Sequence, residues 1–574
     1  MWGIRGSIMR SVGAALRPQP APLAVSMAAR TALAAGTVTV VGAVVGDLNA
    51  VGMAYFGAAC AVAFAARGTY RLRSWALLAQ AGGAVVGLTI GALVPDQPAS
   101  LIAAAAVAGV ISGVIGVIGP NAPAFGMMLT IGLAFGEFGG SPLPSIEQSL
   151  WYLVGTLIVA VATLSPWVFH RGGDERTLVA AVFDSAAAVC DDIGSSEARA
   201  ARARLARASA DARSVTHHPR AELVAFAVAG LYAEENPLPR SVSDLLRAAA
   251  DATRRGEPLA RATMKVENPT PAMAALFDAF AMSPTRPPAP GRPGRHDLMR
   301  SALRAIWSLP ALGNGMRLGL CLAMATGTAV ALHDSNHAFW LPLTVAVIVR
   351  PEYASVFVRT VNRVCGTIAG AAFAAAILAV FGSGLPVACA AALALSVAVL
   401  TAPKLYAFSV IGITGSALLA SCIGTADPAL PALRLVDTVI GAGVAIVFGY
   451  LLWPDSRRLP TTARLDAALP AVQAYLEEAV KQPARRVDWQ TRRDEAYRQA
   501  HLLRAATEAA TTELPPVSSI AVFRIPVAVE LEELVDAITA LAAKAEAGHD
   551  VVSERDRIEQ RLRLLESLPL HSHD

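Results

Sequence analysis

The sequence predicts an all-α polytopic membrane protein: two parallel six-helix transmembrane repeats, each followed by a cytoplasmic helical domain. Three observations carry that expectation. Of 574 residues, 54% are hydrophobic and 16% charged, too apolar for a soluble protein and too long for one domain. Most charged residues collect in two blocks, 171–310 and 457–574, each preceded by apolar runs of membrane length. The two apolar blocks also match one another when one is slid along the other. A net charge of +4 over this length calls for no nucleic-acid partner.

Taken in order, a tail over 1–22 carries Arg5, Arg10 and Arg17 before the first apolar run, 23–45. That run is long, contains Arg30 and is followed by many like it, which favours a span over a cleaved signal peptide. Further segments at 50–66, 73–94, 99–119, 122–138 and 149–169 complete a six-span block over 23–170. Residues 171–310 read as cytoplasmic helices, 174–192 and 197–215 among them, interrupted by an exposed Pro/Gly linker at 283–294. An amphipathic lead, 298–309, enters the second block, 311–454, with segments at 315–332, 337–349, 364–381, 384–400, 404–423 and 434–453. The last domain, 455–574, reads as long helices at 461–481, 488–512, 526–547 and 550–567. Its Glu477-Glu478 falls where Asp191-Asp192 follows the first half, so the cytoplasmic domains are expected to be duplicated as well.

A slide of 283 positions puts Phe56 on Phe339, Arg67 on Arg350, Tyr70 on Tyr353, Gly83 on Gly366 and Gly87 on Gly370. Nearer the front, a slide of 287 pairs Asp47 with Asp334 and Asn49 with Asn336. An even number of spans separates equivalent helices, so the repeat is parallel. Gly83, Gly87 and Gly91, and again Gly366 and Gly370, place small residues on one helical face where another helix can approach closely. The predicted inside loops hold Arg67, Arg71, Arg73, Arg350, Arg359, Arg363 and Lys404; the outside loops hold only Arg434. This bias places both termini and both charged blocks in the cytoplasm.

The stretch 333–370 carries an aromatic residue before Pro342-Leu343-Thr344, an apolar run ending in Arg350-Pro351, and an Arg363-x-x-Gly366-Thr367-x-x-Gly370 entry into the next helix. It resembles the fusaric acid resistance protein-like (FUSC) group of membrane transporters, which overlaps with the aromatic acid exporter family and with plant aluminium-activated malate transporters. The resemblance covers the second membrane block and implies transport of aromatic or related carboxylic acids. The first half departs from the pattern: Gln80 stands in the place of Arg363, Gly57 in that of Trp340 and Ala59 in that of Pro342.

Several chemistries find no frame. There is no Gly-x-x-x-x-Gly-Lys-Ser/Thr loop for a nucleotide, and no nucleophile elbow or paired carboxylates, so neither an enzyme nor a bound cofactor is expected. Six cysteines show no Cys-x-x-Cys spacing and read as small hydrophobes. The pairs His217-His218 and His571/His573 stand alone, and His333 with His337, four apart beside Asp334, reads as a polar outer loop or cavity rim in preference to a metal site, so no metal is expected. Charge at membrane depth remains. Arg30 and Arg317 lie within spans, where an arginine faces a cavity or partner or else snorkels to the headgroups. With Arg350 and Arg363 they offer docking for a carboxylate, and Trp340 offers an aromatic face or an interfacial anchor. Glu137 and Asp437 are candidate proton carriers or wet loop residues.

These residues point to a plasma (cytoplasmic) membrane exporter of amphipathic organic anions driven by the proton gradient. Its partners would be the substrate, the bilayer and a second copy through the cytoplasmic helices. An anion channel or a non-transporting cell-envelope scaffold remains open at this point.

Overall fold

The computed structural model describes residues 13, 16–18, 23–65, 70–119, 121–138, 143–165, 173–216, 218–259, 269–281, 295–332, 338–349, 356–424, 427–453, 460–481, 486–511 and 517–568. Outside them lie Arg5, Arg10, Arg67, His217, the 283–294 linker, His333, Asp334, Asn336, His337, Arg350, Tyr353, His571 and His573. Every regular element among the described residues is helical.

The chain opens with α1 (Val25–Val45), α2 (Leu48–Ala65), α3 (Tyr70–Leu93), α4 (Pro98–Ile115), α5 (Ala122–Glu137) and α6 (Ser145–Leu164). Next come α7 (Gly173–Asp192), α8 (Ala198–Val215), α9 (Pro219–Glu234), α10 (Arg240–Arg255) and α11 (Pro271–Ala281). Then follow α12 (Arg295–Ile306), α13 (Leu309–Ala331), α14 (Trp340–Ile348), α15 (Val356–Phe381), α16 (Leu385–Thr401), α17 (Tyr406–Ser421) and α18 (Leu430–Ile446), continued by a π turn, Val447–Leu451. The last four are α19 (Pro460–Ala479), α20 (Arg486–Ala510), α21 (Val517–Glu546) and α22 (Val552–Ser567).

Two compact units result. One combines residues 1–171 with 293–457 and 512–514; the other combines 172–292, 458–511 and 515–574. Among the described residues of the first unit, six helices are long and apolar enough to cross a bilayer: Val25–Gly42, Tyr70–Leu93, Pro98–Ile115, Ser145–Leu164, Phe357–Phe381 and Leu430–Leu451. Shorter apolar helices, among them Ala122–Glu137, Leu385–Thr401 and Tyr406–Ser421, pack between them. Large apolar side chains such as Leu93, Val161, Val380 and Leu393 face outward, as a lipid-facing surface requires. The chain is a multi-pass membrane protein.

Within that unit α3 packs along α5 and α15 along α17, α2 along α6 and α14 along α18. α4 holds α13, and α16 holds α1. Glycine is what lets α3 and α5 meet. A Cβ added at Gly87 would fall on the Leu129 carbonyl oxygen and 2.7 Å from the Leu133 nitrogen; in return, one at Gly132 would lie 2.5 Å from the Ala84 oxygen. Gly83 and Gly91 meet Phe125 and Leu133 in the same way, and Gly366 and Gly370 lie against Val410 and Ile411 of α17.

Several helices begin earlier than hydropathy predicts. α3 starts at Tyr70 and α15 at Val356, so Arg71, Arg73, Arg359 and Arg363 belong to helices and not to loops, with Arg73 and Arg363 buried. α18 likewise starts at Leu430, which corrects the assignment of Arg434 to an outer loop. Its start is fixed by Pro431 in the first turn, where a missing N–H costs nothing, and by the Asp427 carboxylate accepting from the Ala429 amide at 2.9 Å.

Among the described residues the second unit has two large apolar cores, one around Phe183, Leu205, Leu246 and Phe280, the other around Tyr475, Tyr497, Leu531 and Ile538, and a small cluster of Ala510, Val517 and Ala521. Arg202 of α8 reaches Asp536 of α21 through two hydrogen bonds, of 2.7 and 2.5 Å. The same carboxylate accepts from the Tyr497 hydroxyl at 2.7 Å. The buried charges of Arg202 and Asp536 therefore satisfy one another, as burial demands.

Candidate functional site

α14 is nine residues long, about 14 Å at the helical rise, and every one of them is buried. Pro342 lies in its first turn, where the ring breaks no helical hydrogen bond. Trp340, 5% exposed, therefore belongs to the protein interior and is not an interfacial anchor.

What buries it is Arg434, at 1% exposure the largest fully buried side chain among the described residues. The Arg434 guanidinium lies over the Trp340 ring, 4.4 Å from its centroid. One terminal nitrogen donates to the Trp340 carbonyl at 3.0 Å and to Thr344 Oγ1 at 2.9 Å. Thr344 in turn donates to the Trp340 carbonyl at 2.8 Å, closing a small polar ring inside an apolar helix pair. Arg363 of α15 and Asp437 of α18 act electrostatically on the guanidinium. Asp437, three residues on, shares the α18 face of Arg434. The Nε of Arg363 and the indole Nε1 of Trp340 are both buried without a hydrogen-bond partner among the described residues.

From Trp340 a continuous aromatic ladder leads into the first half. Trp340 touches Phe339 at 4.6 Å between centroids, Phe339 meets Phe135 at 4.1 Å, and Phe135 stacks on Phe56 at 4.2 Å. Phe56 meets the edge of Tyr152 at 5.5 Å. The Tyr152 hydroxyl donates to Gln80 Oε1 at 2.6 Å, the Gln80 amide donates to Thr156 at 3.4 Å, and Thr156 donates to the Gly57 carbonyl at 3.4 Å. The ladder thus runs between two buried polar centres, one cationic and one neutral.

Of the site residues read from the sequence, the structure brings together Trp340, Arg363 and Asp437. Arg30 is half-buried on α1, which packs against α2, α6 and α16, none of which carries Trp340, Arg363 or Arg434. Arg317 is buried on α13, but Cys321, one turn on, lies by Gly449 in the π turn, at the opposite end of α18 from Arg434. Arg350 is outside the described residues. Glu137 closes α5, two residues beyond Phe135 of the ladder. It is buried, and its Oε1 has no hydrogen-bond partner among the described residues. Among those residues no three His, Cys, Asp or Glu side chains gather as metal ligands.

Residues 321–448 match the family described as fusaric acid resistance protein-like, so the resemblance of the second membrane block holds there. Several curated relatives carry only the description uncharacterized protein. One from Synechocystis is 25% identical over 173 residues, 30% of this chain and 23% of its own length. YhfK of Escherichia coli is 31% identical over 166 residues, 27% of this chain and 22% of its own length. One from Neisseria gonorrhoeae is 27% identical over 168 residues, 29% of this chain and 40% of its own length. The chain therefore spans well under half of each of these relatives. No solved structure matches it.

Proposed function

We propose that this chain, a multi-pass membrane protein with a fusaric acid resistance protein-like block, exports amphipathic organic anions such as aromatic carboxylic acids across the plasma (cytoplasmic) membrane. The observation that carries the reading is the guanidinium of Arg434, buried on Trp340 at the end of an aromatic ladder. An arginine at membrane depth is costly and marks a substrate or ion path by default. A cation beside stacked rings fits a ligand that is itself a carboxylate on an aromatic body.

The architecture we infer is a pair of parallel six-helix repeats, α1–α6 and α13–α18, with the charged helices and both termini in the cytoplasm. The packing supports it: each of the pairs α3–α5, α2–α6 and α4–α13 has its counterpart in α15–α17, α14–α18 and α16–α1. The two halves exchange their first helices, and the ladder crosses between them. Glu137, beside that crossing, is our candidate for the proton that drives export. Pairing of two copies through the cytoplasmic helices is a further part of this reading, supported by the exposed Val552 and Leu564 of α22 and Leu568 just after it.

The test is efflux of a radiolabelled aromatic-acid panel from cells expressing the chain, with and without collapse of the proton gradient. Accumulation that falls on expression and recovers on collapse supports export. Gradient-independent flux would mark an anion channel instead, and no flux for any acid a scaffold.

A further inference from the structure

The two polar centres at the ends of the ladder occupy matching positions in the two halves. A slide of 282 places Leu153-Val154 on Leu435-Val436, Thr156 on Thr438, Ile158 on Ile440 and Ala160 on Ala442. The same slide puts Tyr152 on Arg434 and Gly155 on Asp437, while at a slide of 283 Gln80 stands opposite Arg363. Gly57, opposite Trp340, offers the carbonyl that Thr156 bonds, and the Trp340 carbonyl is the one that Arg434 bonds. The halves therefore share a frame and differ at it by three charges that arrive together, two positive and one negative. At three matched positions the first half places Tyr152, Gly155 and Gln80, none of them charged.

We propose that Asp437 sets the net charge of this centre at +1 and thereby selects monoanionic ligands over dianionic ones. The proposal rests on the export reading above and names its specificity-determining residue. Arg434 and Arg363 would offer two positive charges; with Asp437 ionised beside them, one monoanion neutralises the centre. A dianion leaves an uncompensated negative charge in a site whose members are 9% exposed or less, and an unpaired charge is disfavoured there. The neutral twin marks what the frame looks like without this function. Tyr152 and Gln80 satisfy one another, whereas Arg363 Nε and Trp340 Nε1 do not find a partner within the described residues.

The experiment is equilibrium binding of radiolabelled benzoate and terephthalate to the purified full chain at about pH 8, where both acids are fully ionised. The wild type is expected to prefer benzoate by about tenfold or more, one extra unpaired charge being worth at least 1.4 kcal/mol by that ratio. Asp437→Asn raises the centre to +2 and is expected to move the ratio about tenfold or more towards terephthalate. Asp437→Glu keeps the wild-type preference. Arg363→Gln, which lowers the centre to zero, moves the ratio the other way and provides a readout should Asp437→Asn fail to fold. A ratio unchanged by Asp437→Asn and Arg363→Gln in chains that bind benzoate overturns the proposal and leaves the export reading standing. A wild type that binds neither acid, and moves neither in the efflux assay, overturns both.

Discussion

Glu137→Gln separates driving force from passage. Glu137 is 9% exposed at the end of α5, and its Oε1 is buried without a hydrogen bond to any described residue. A carboxylate so placed is expensive in its charged form, while a neutral acid is not. One such side chain carries one proton, so export coupled through it draws 1.36 kcal/mol per pH unit and concentrates a substrate at most about tenfold per unit. Glutamine has nearly the same shape and is permanently neutral. The fold should change by about 1 kcal/mol or less, because no hydrogen bond is lost. In vesicles holding the purified chain and a one-unit pH difference, the wild type should carry radiolabelled benzoate towards the acidic interior. Undissociated benzoic acid leaks the opposite way, so the sign of movement identifies the carrier. The variant should lose gradient-driven uptake, yet exchange benzoate at equal pH within about twofold of wild type. Uptake that persists in Glu137→Gln refutes the assignment of the proton to this residue. Loss of both uptake and exchange in a folded chain shows that Glu137 serves passage itself and not coupling.

Arg434→Gln should cut aromatic-acid efflux by about tenfold or more with helix content intact by circular dichroism. Arg434→Lys should not restore it, since an ammonium cannot stack flat on Trp340 while donating to Trp340 and Thr344. Gly87→Leu drives a side chain into the Leu129–Leu133 backbone of α5 and should destabilise the membrane unit by about 1–3 kcal/mol, read as a lower melting temperature in detergent. In the second unit, burial pushes the Glu532 carboxyl up, but its hydrogen bond to His501 at 2.7 Å and the nearby Arg504 outweigh this and hold it below the usual carboxylate range. A depressed carboxyl lends stability above its unfolded value, about 4.3, and loses it as the pH falls through the folded one. Glu532→Gln should therefore flatten the acid limb of the melting-temperature profile between about pH 5 and 3; an unchanged limb would assign it to other carboxylates.

The helical, membrane-embedded character of this unit was legible because apolar runs of about 20 residues have few other uses in a chain this poor in charge, but of the twelve spans expected, six helices among the described residues are long and apolar enough to cross a bilayer. Helix starts were not legible. Hydropathy drops where Arg71, Arg73, Arg359 and Arg363 begin, although the backbone is already helical there and side-chain stems or partners accommodate the charge. Arg434 was lost to the same rule: a charged residue beside Asp427 looks like a loop, and only Pro431 in the first turn hinted otherwise. The glycine faces could be read, since their spacing itself is the signal. The aromatic ladder could not, because Phe135 repeats with nothing and its contacts are 79 and 204 residues away, at Phe56 and Phe339. The twin centres were hidden by a single-residue change of register: α2 and α14 align at 283, α6 and α18 at 282.

On the repeat architecture proposed above, the same register shows how one half could carry charge where the other has a neutral frame. At Gly57 a Cβ would fall on the Tyr152 backbone, so α2 and α6 touch directly and leave no room for an ion between them. In the second half Trp340 occupies that place, and its ring face becomes a seat for the guanidinium. Beside Asp437, the charge is compensated by contacts whose sum lies close to the cost of burying it. Burying an ion costs several kcal/mol. Two hydrogen bonds from a charged group return about 1.5–3 kcal/mol each, and a desolvated cation–π contact about 2 kcal/mol. Asp437 on the same helix face adds to the gain, so gain and loss nearly cancel, and on the export reading a carboxylate that reaches the Nε of Arg363, unpartnered among the described residues, would add a further favourable contribution. On the export reading, a centre balanced in this way would favour its ligand without holding it irreversibly. An arginine present only for stability would be better replaced by the tyrosine–glutamine pair that the first half already has.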